Sequence, residues 1–468
     1  MLCLALQWGF VPWALLSAAL FGAFIVALAS DYALWISLAA GALVAVALLA
    51  PLLDAVRAVW APLRGEPVDR ERAPALWALI EETAAAVGGA VPDVLLVDHL
   101  STVYSQHEKR DGRTHYTLLI GLQVVTPRTL GQFRAFLGSH LAGSASSSAS
   151  IEGQVWSWHL YLQTVFAKYA LNPLNLALWP YAALCFAVSS RITAARVLVG
   201  DQAAARFAGG ANTWSTLAEA QVLDRLGPEF DRTHLLPAID AGLLPFDIVG
   251  GFVHYLDSVH ERRAALRAGP LTAARAWNAT HPPLARRVAA VVDVPGDLRP
   301  GDEAPAIGVF ADASAIAAAV DAMWSVPGTV RGTWEEAAER LELRMHRNRA
   351  TLAYRAMGRL LGSSRASLDA LLGEIETGRR DELFLALDRR GFPAGGLASI
   401  VALAAMRSQD MKYEVRWGEG TGLVGADGRP FEPKELIAPL FAAEPDPDAV
   451  RKALADRGVD LHRAVAEG

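Results

Sequence analysis

The sequence predicts an α+β protein, mainly helical. It reads as an N-terminal transmembrane helical hairpin, a central domain built around a small β-sheet, and a mostly helical C-terminal module with one strand pair. Three observations lead there. Residues 1–53 contain a single charged side chain, Asp31, in a chain of 468 residues that is 53% apolar and only 20% charged. Downstream, stretches with apolar residues at three-to-four spacing surround one short group of strand-like runs. A Pro-, Gly- and acid-rich segment, Pro295 to Pro305 (PGDLRPGDEAP), is the strongest break in the chain. The expected division is 1–56, 57–294 and 306–468.

The hairpin comes from two apolar runs, Val11 to Ala29 and Ala33 to Leu53. Each has about 20 residues, the length that crosses a hydrocarbon core of roughly 30 Å. Only Ser30-Asp31-Tyr32 separates them. Ala27-Leu28-Ala29 resembles a signal-peptide cleavage site, but no Lys or Arg precedes the run and a second run follows at once. The tip has no Lys or Arg, whereas Arg57, Arg64, Arg70 and Arg72 follow the second run. Such an excess of cations marks the cytoplasmic side. The expectation is a multi-pass protein of the cell inner membrane with its main domain in the cytoplasm.

In the central domain, Ala73–Gly88 has the spacing of an amphipathic helix and Asp93–Asp98 reads as a strand. Ser101–Gln106 and Thr114–Ile120 flank Arg110-Asp111-Gly112-Arg113, and Asp-Gly between strand-like runs signals a hairpin. Thr126–Thr129 breaks the chain and can cap the next helix, GQFRAFLGSHLAG. Gly143–Gly153 reads as a helix end and flexible loop. Its serines, Ser144, Ser146, Ser147, Ser148 and Ser150, fit a linker better than a phosphorylation cluster.

Trp156–Ser190 is a second apolar region, rich in Trp and Tyr, whose clear charge is Lys168. Pro173 and Pro180 are expected to interrupt it, which leaves open a third span or a helix pair lying on or dipping into the membrane. Helices follow at Arg191–Ala208, Trp214–Leu226 and Ile248–Leu266, and another opens on Thr-His-Pro-Pro within Asn278–Val291.

Beyond the break, helices are expected at Ala311–Met323, Trp334–Leu361, Ser367–Glu376 and Arg380–Leu387. Strands at Tyr413–Trp417 and Gly422–Val424, a turn at Asp427-Gly428, and helices at Lys434–Phe441 and Asp448–Asp456 complete the chain. The mixed charges of Trp334–Met357 fit a solvated amphipathic helix, with a partner-binding helix as the alternative.

Composition narrows the function. A net charge of −6 without a basic block argues against nucleic acid as a partner. Cys3 and Cys185 both lie in apolar segments and supply neither a disulfide framework nor a thiolate metal site.

Four segments together resemble the HtpX/CAAX prenyl protease family of membrane zinc endopeptidases, over roughly residues 1–292. They are PDVLLVD with its hairpin, TPRTLGQFRAFLGSHLAG, RVLVGDQAAARFAG, and THPPLARRVAAV, the last being the most specific. The resemblance implies a zincin-like metallopeptidase domain. In it, two histidines at i and i+4 on one helix face share a zinc, the glutamate after the first activates the zinc-bound water, and a later glutamate completes the ligands.

Matched residue to residue, the first histidine position falls on Ser139, the general base on His140 and the second histidine on Gly143. The ligand glutamate falls on Val197 and its aspartate partner on Asp201. A serine, a glycine and a valine do not hold zinc, so the expectation is no catalytic residue, no metal and no cofactor, although the family carries zinc. Asp201, His281, Pro282, Pro283 and Arg287 remain as scaffold. His140, Asp201, His281 and Arg287 are the expected lining of the old cleft.

The reading is a membrane-anchored pseudopeptidase that contacts the bilayer and binds a protein or peptide. The alternative is an active zinc endopeptidase with substitute ligands, drawn from His140, Asp201, His281 and His159. A helix turns about 100° per residue, which points His140 away from the ligand face. Ser139 beside His140 does not make a serine hydrolase, since adjacent helical residues diverge and no G-x-S-x-G elbow is present.

Overall fold

The computed structural model of the protein describes all residues except 1, 29–33, 145–150, 169–171, 270–280, 297–298, 362–366, 388–392, 409–410, 419, 426–427 and 463–468. The expected turn at Ser30-Asp31-Tyr32, most of the serine-rich stretch, Thr280 and Asp427 therefore lie outside the described residues. The chain is mainly helical with small sheets. It divides into two compact units, Met1–Arg225 with Glu261–Met323, and Leu226–His260 with Trp324–Gly468.

The first unit begins with α1 (Leu2–Leu28) and α2 (Leu34–Trp60). They cross at Gly22 and Gly41, where a Cβ on either residue would come within 2.8 Å of the other's carbonyl oxygen. Glycine is what lets the two backbones approach this closely. β1 (Glu66–Pro67), α3 (Pro74–Val87), β2 (Val94–Asp98), β3 (Val103–Arg110) and β4 (Arg113–Gly121) follow. The strands form one sheet in the order β1-β2-β4-β3, with β2 and β4 parallel and the other pairs antiparallel. Asp111 and Gly112 both have positive φ, 52° and 76°, as a two-residue type I′ hairpin turn requires.

α4 (Leu122–Val125), α5 (Leu130–Ser144), α6 (Ile151–Lys168), α7 (Leu174–Ala208) and α8 (Gly210–Phe230) come next. Two expectations are corrected here. The stretch from Gly143 to Gly153 opens on a helix end, as read, with α5 running through Ser144, but its last residues are helical too, because α6 starts at Ile151. Pro180 does not break the chain but lies inside α7. A proline in a helix gives up one hydrogen bond to the carbonyl four residues back. Here Leu178, Ala182 and Phe186 hold the turn in place, buried in a cluster with Phe10, Leu52 and Leu162. Among the described residues two helices are long and apolar enough to cross a membrane, Gly9–Ala27 and Asn175–Ala208, and Leu38–Asp54 forms a shorter apolar helix.

After α8 the chain forms α9 (Leu236–Asp240), β5 (Leu243–Pro245) and α10 (Ile248–Ser258) in the second unit. It then forms α11 (His260–Ala268), α12 (Leu284–Ala289) and α13 (Ala313–Met323), which belong almost wholly to the first. The single helix expected over Ile248–Leu266 is interrupted at Val259, which leaves the helical region with φ −104° and ψ 28°.

β6 (Val330–Gly332), α14 (Trp334–Leu361), α15 (Leu368–Glu376), α16 (Arg380–Leu387) and α17 (Pro393–Ser408) continue the second unit. β7 (Lys412–Arg416), β8 (Gly420–Val424), α18 (Pro433–Leu436) and α19 (Pro447–Asp456) complete it. β5 pairs in parallel with β6, and β7 with β8 in an antiparallel hairpin. The core of this unit gathers Leu371, Leu372, Ile400, Val401, Phe431 and Leu454.

Candidate functional site

The site is built on α5, α7 and α12 of the first unit. α5 starts from a reciprocal cap: Thr129 N donates to Gln132 Oε1 at 3.0 Å, and Gln132 N donates to Thr129 Oγ1 at 3.3 Å. Two further free amides of its first turn are taken up from a distance, Leu130 N by Ala304 O at 2.7 Å and Gly131 N by Asp302 O at 2.9 Å. Arg134 adds an ion pair to the buried Asp302 at 2.9 Å. The Pro295–Pro305 segment, read from sequence as a break, is thus fastened to the start of α5.

α5 packs antiparallel on α7. Gly138 faces Ala204, Ser139 faces Gly200, and Gly143 lies beside Arg196. A Cβ on Gly200 would sit 2.7 Å from the Ser139 carbonyl oxygen, so glycine is required at that crossing. The close approach puts the Ser139 hydroxyl against Asp201. Ser139 Oγ donates to Asp201 Oδ1 at 2.8 Å, and Arg287 of α12 grips both carboxylate oxygens, Nε to Oδ2 at 2.7 Å and Nη2 to Oδ1 at 2.8 Å. Asp201 is fully buried. A buried carboxylate is tolerated when donors of this number and geometry meet it.

His140 is directed elsewhere, as its place on the helix predicts. Its Nε2 lies 2.7 Å from Ser105 Oγ on β3, and Ser105 Oγ lies 3.2 Å from the Tyr116 hydroxyl on β4. Tyr116 stacks on His107 with centroids 4.5 Å apart. Burial, then the positive charge of Arg196 and the nearby His281, lower the His140 pKa to about 4. The ring is neutral at pH 7. His281 is exposed, within electrostatic reach of Arg287 and Asp201. His159 is buried and bonds through Nδ1 to Ser189 Oγ at 2.8 Å. Val197 is partly buried and carries no donor atom.

The structure therefore brings Ser139, Asp201 and Arg287 into direct contact and leaves His140 in a separate bond to the sheet. These residues do not fit zinc. The Ser139 hydroxyl is committed to Asp201, Gly143 and Val197 offer no ligand atom, and Asp201 would have to release a two-pronged guanidinium. Among the described residues no group of three His, Cys, Asp or Glu side chains is placed to share an ion. What the arrangement does chemically is cross-link three helices through one acid. Ser105, Tyr116 and Arg196 were not singled out in the sequence. Nothing local marks them, because their role depends on which helix faces which strand.

A second buried acid lies on α8. Glu219 accepts from Arg263 Nη2 at 2.8 Å and from Arg267, both on α11, and Arg263 Nη2 also reaches Pro127 O at 2.9 Å. Arg128, almost wholly buried nearby, donates to Val124 O. Its loss of solvent lowers its pKa to about 10, against the favourable pull of Glu219.

No family model, curated protein or solved structure matches the chain.

Proposed function

We propose that the protein is a membrane-anchored pseudopeptidase related to the HtpX-like zinc endopeptidases. It does not cleave peptides, and it acts by holding a protein or peptide partner close to the membrane. The observation that carries this reading is the register of α5 against α7. It sets the 139–143 turn against the 196–201 turn, the pairing a shared-zinc site of that family would need, and at that place an acid–guanidinium–hydroxyl cross-link stands instead of ligands. The apolar helices at Gly9–Ala27 and Asn175–Ala208 support the bilayer as the protein's surroundings. In this reading α1 and α2 are the anchor, and Arg57, Arg64, Arg70 and Arg72 after the second apolar run favour the cytoplasmic side for the main domain.

The first test is metal content. The full chain, purified in detergent without chelators, is expected to carry far less than one zinc per molecule by plasma mass spectrometry. Stoichiometric zinc would overturn the metal-free site and favour the substitute-ligand enzyme instead. The second test restores the ligands with Ser139→His, His140→Glu, Gly143→His and Val197→Glu together. If the helix pair is a zincin pair, the variant gains one zinc per chain. A folded variant that gains none removes the kinship. The partner is sought by cross-linking in native membranes, where failure to recover any stoichiometric protein counts against the binding role.

A further inference from the structure

Whether the α6–α7 pair crosses the bilayer can be read from its register against α1. Gly9 packs against the Tyr181 hydroxyl, and Trp13 Nε1 donates to Ala177 O at 3.0 Å. Both pairs have residue numbers summing to 190 (9 + 181 and 13 + 177), which makes the helices antiparallel and sets Leu174, the first residue of α7, opposite Leu16. Gly22 against Gly41 sums to 63 and sets Leu52 of α2 opposite Val11. In agreement, Tyr161 donates to Leu52 O at 3.3 Å while its ring lies 6.1 Å from that of Phe10. α1 therefore continues for 12 residues beyond the start of α7, about 18 Å at 1.5 Å per residue.

Two bilayer positions are possible, and they make opposite demands. If α6 and α7 span, the hydrocarbon begins near Arg191 and ends near Leu174. The far halves of α1 and α2 then stand in water with Leu20, Phe24, Trp35, Ile36, Leu43 and Val46 exposed on them, while the register buries Asp54 and Arg57. If α1 and α2 span from the level of Phe10 to that of Leu28, the thickness is about 27 Å, close to a hydrocarbon core. Asp54 and Arg57, opposite residues 9 and 6 of α1, then lie at or just outside the near boundary. Trp13, Trp158 and Tyr181, exposed or half-buried and packed in one layer around the buried Phe10 and Tyr161, mark that boundary as an aromatic belt. The second position keeps Asp54 and Arg57 out of hydrocarbon and takes the exposed apolar side chains of α1 and α2 into it, leaving Leu184 in water.

We infer that α6 and α7 form a hairpin embedded in the near leaflet only, reaching about 9 Å past the belt, so that the protein crosses the bilayer twice and grips one leaflet a second time. Shallow insertion also suits Asn172, just before α7, because a polar side chain at that depth remains within reach of the near headgroups. This inference rests on the membrane reading above and adds the depth of the second helix pair.

Two exposed leucines separate the alternatives. In the full chain with Cys3→Ser and Cys185→Ser, nitroxide labels are placed singly at Leu43→Cys and Leu184→Cys, and the protein is reconstituted into phosphatidylcholine–phosphatidylglycerol vesicles. Collision rates with oxygen and with a water-soluble nickel chelate give the depth of each label. Leu43, opposite residue 20 of α1, is expected about 15 Å past the belt, near the bilayer centre. Leu184, opposite residue 6, is expected about 6 Å outside the belt and open to nickel. A Leu184 label buried in the bilayer beside a Leu43 label open to nickel overturns the inference and makes α6 and α7 full spans. Both labels open to nickel, in a protein that alkaline carbonate strips from vesicles, would remove the membrane reading itself.

Discussion

Two fully buried acids in the first unit are held by arginine, and they are held differently. Asp201 is gripped by one guanidinium with both prongs and by one hydroxyl, and these partners come from α12 and α5. Glu219 is shared by two arginines of a single helix, α11, one of them substantially exposed. The first acid joins three helices and has no spare partner, whereas the second has redundancy and one partner, Arg267, that reaches water. A carboxylate can thus be buried either as a unique cross-link or as one member of a tolerant cluster, and only the first ties its helices into one geometry.

The comparison predicts an order of effects. Arg287→Ala leaves Asp201 buried without its cation and is expected to cost about 3–5 kcal/mol, the penalty for breaking a buried pair. A detergent-solubilised thermal melt measures it, and a loss no larger than that of Arg267→Ala, which removes one arginine from Glu219, would erase the distinction.

Next comes acid. The folded His140 has its pKa lowered to about 4, against about 6.5 when unfolded. The unfolded chain therefore binds the proton first as the pH falls. Stability should be full above about pH 6.5 and decline towards pH 4, by up to about 3 kcal/mol. His140→Gln should flatten that part of a Tm-against-pH curve, and an unchanged slope would place the titrating group elsewhere.

Ser139→Ala removes one hydrogen bond to a charged acceptor and is expected to cost about 1.5–3 kcal/mol. The smallest effect belongs to Arg267→Ala, about 1 kcal/mol or less, because Arg263 keeps Glu219 paired and Arg267 is already half in water. Chemical denaturation of the two variants side by side checks their order.

Legibility in the sequence followed the range of the interactions. The Asp111-Gly112 turn, the cap at Thr129 and the span of α14, Trp334–Leu361, depend on residues a few positions apart and were readable. α17 went unread because Leu397, Ile400, Val401, Ala404 and Ala405 are buried on several sides, which removes the polar face that marks an amphipathic helix. The parallel pairing of β5 with β6 joins three-residue strands more than 80 positions apart and leaves no local trace. At the site, Ser139, Asp201 and Arg287 could be named from their segments. The bond of His140 to Ser105 could not, since it needs the helix to be set against the sheet.

α7 runs unbroken for 35 residues, about 52 Å, with Leu176 near one end and Asp201 near the other. A long arm of helix thus separates Leu176 from the acid. Swinging the helix by about 5° from Leu176 would carry the Asp201 turn through roughly 3 Å over an arm of about 38 Å. That displacement is the length of the hydrogen bond from Ser139. The Ser139–Asp201 bond therefore lasts only while α7 keeps its close packing on α5, which the glycine at position 200 allows.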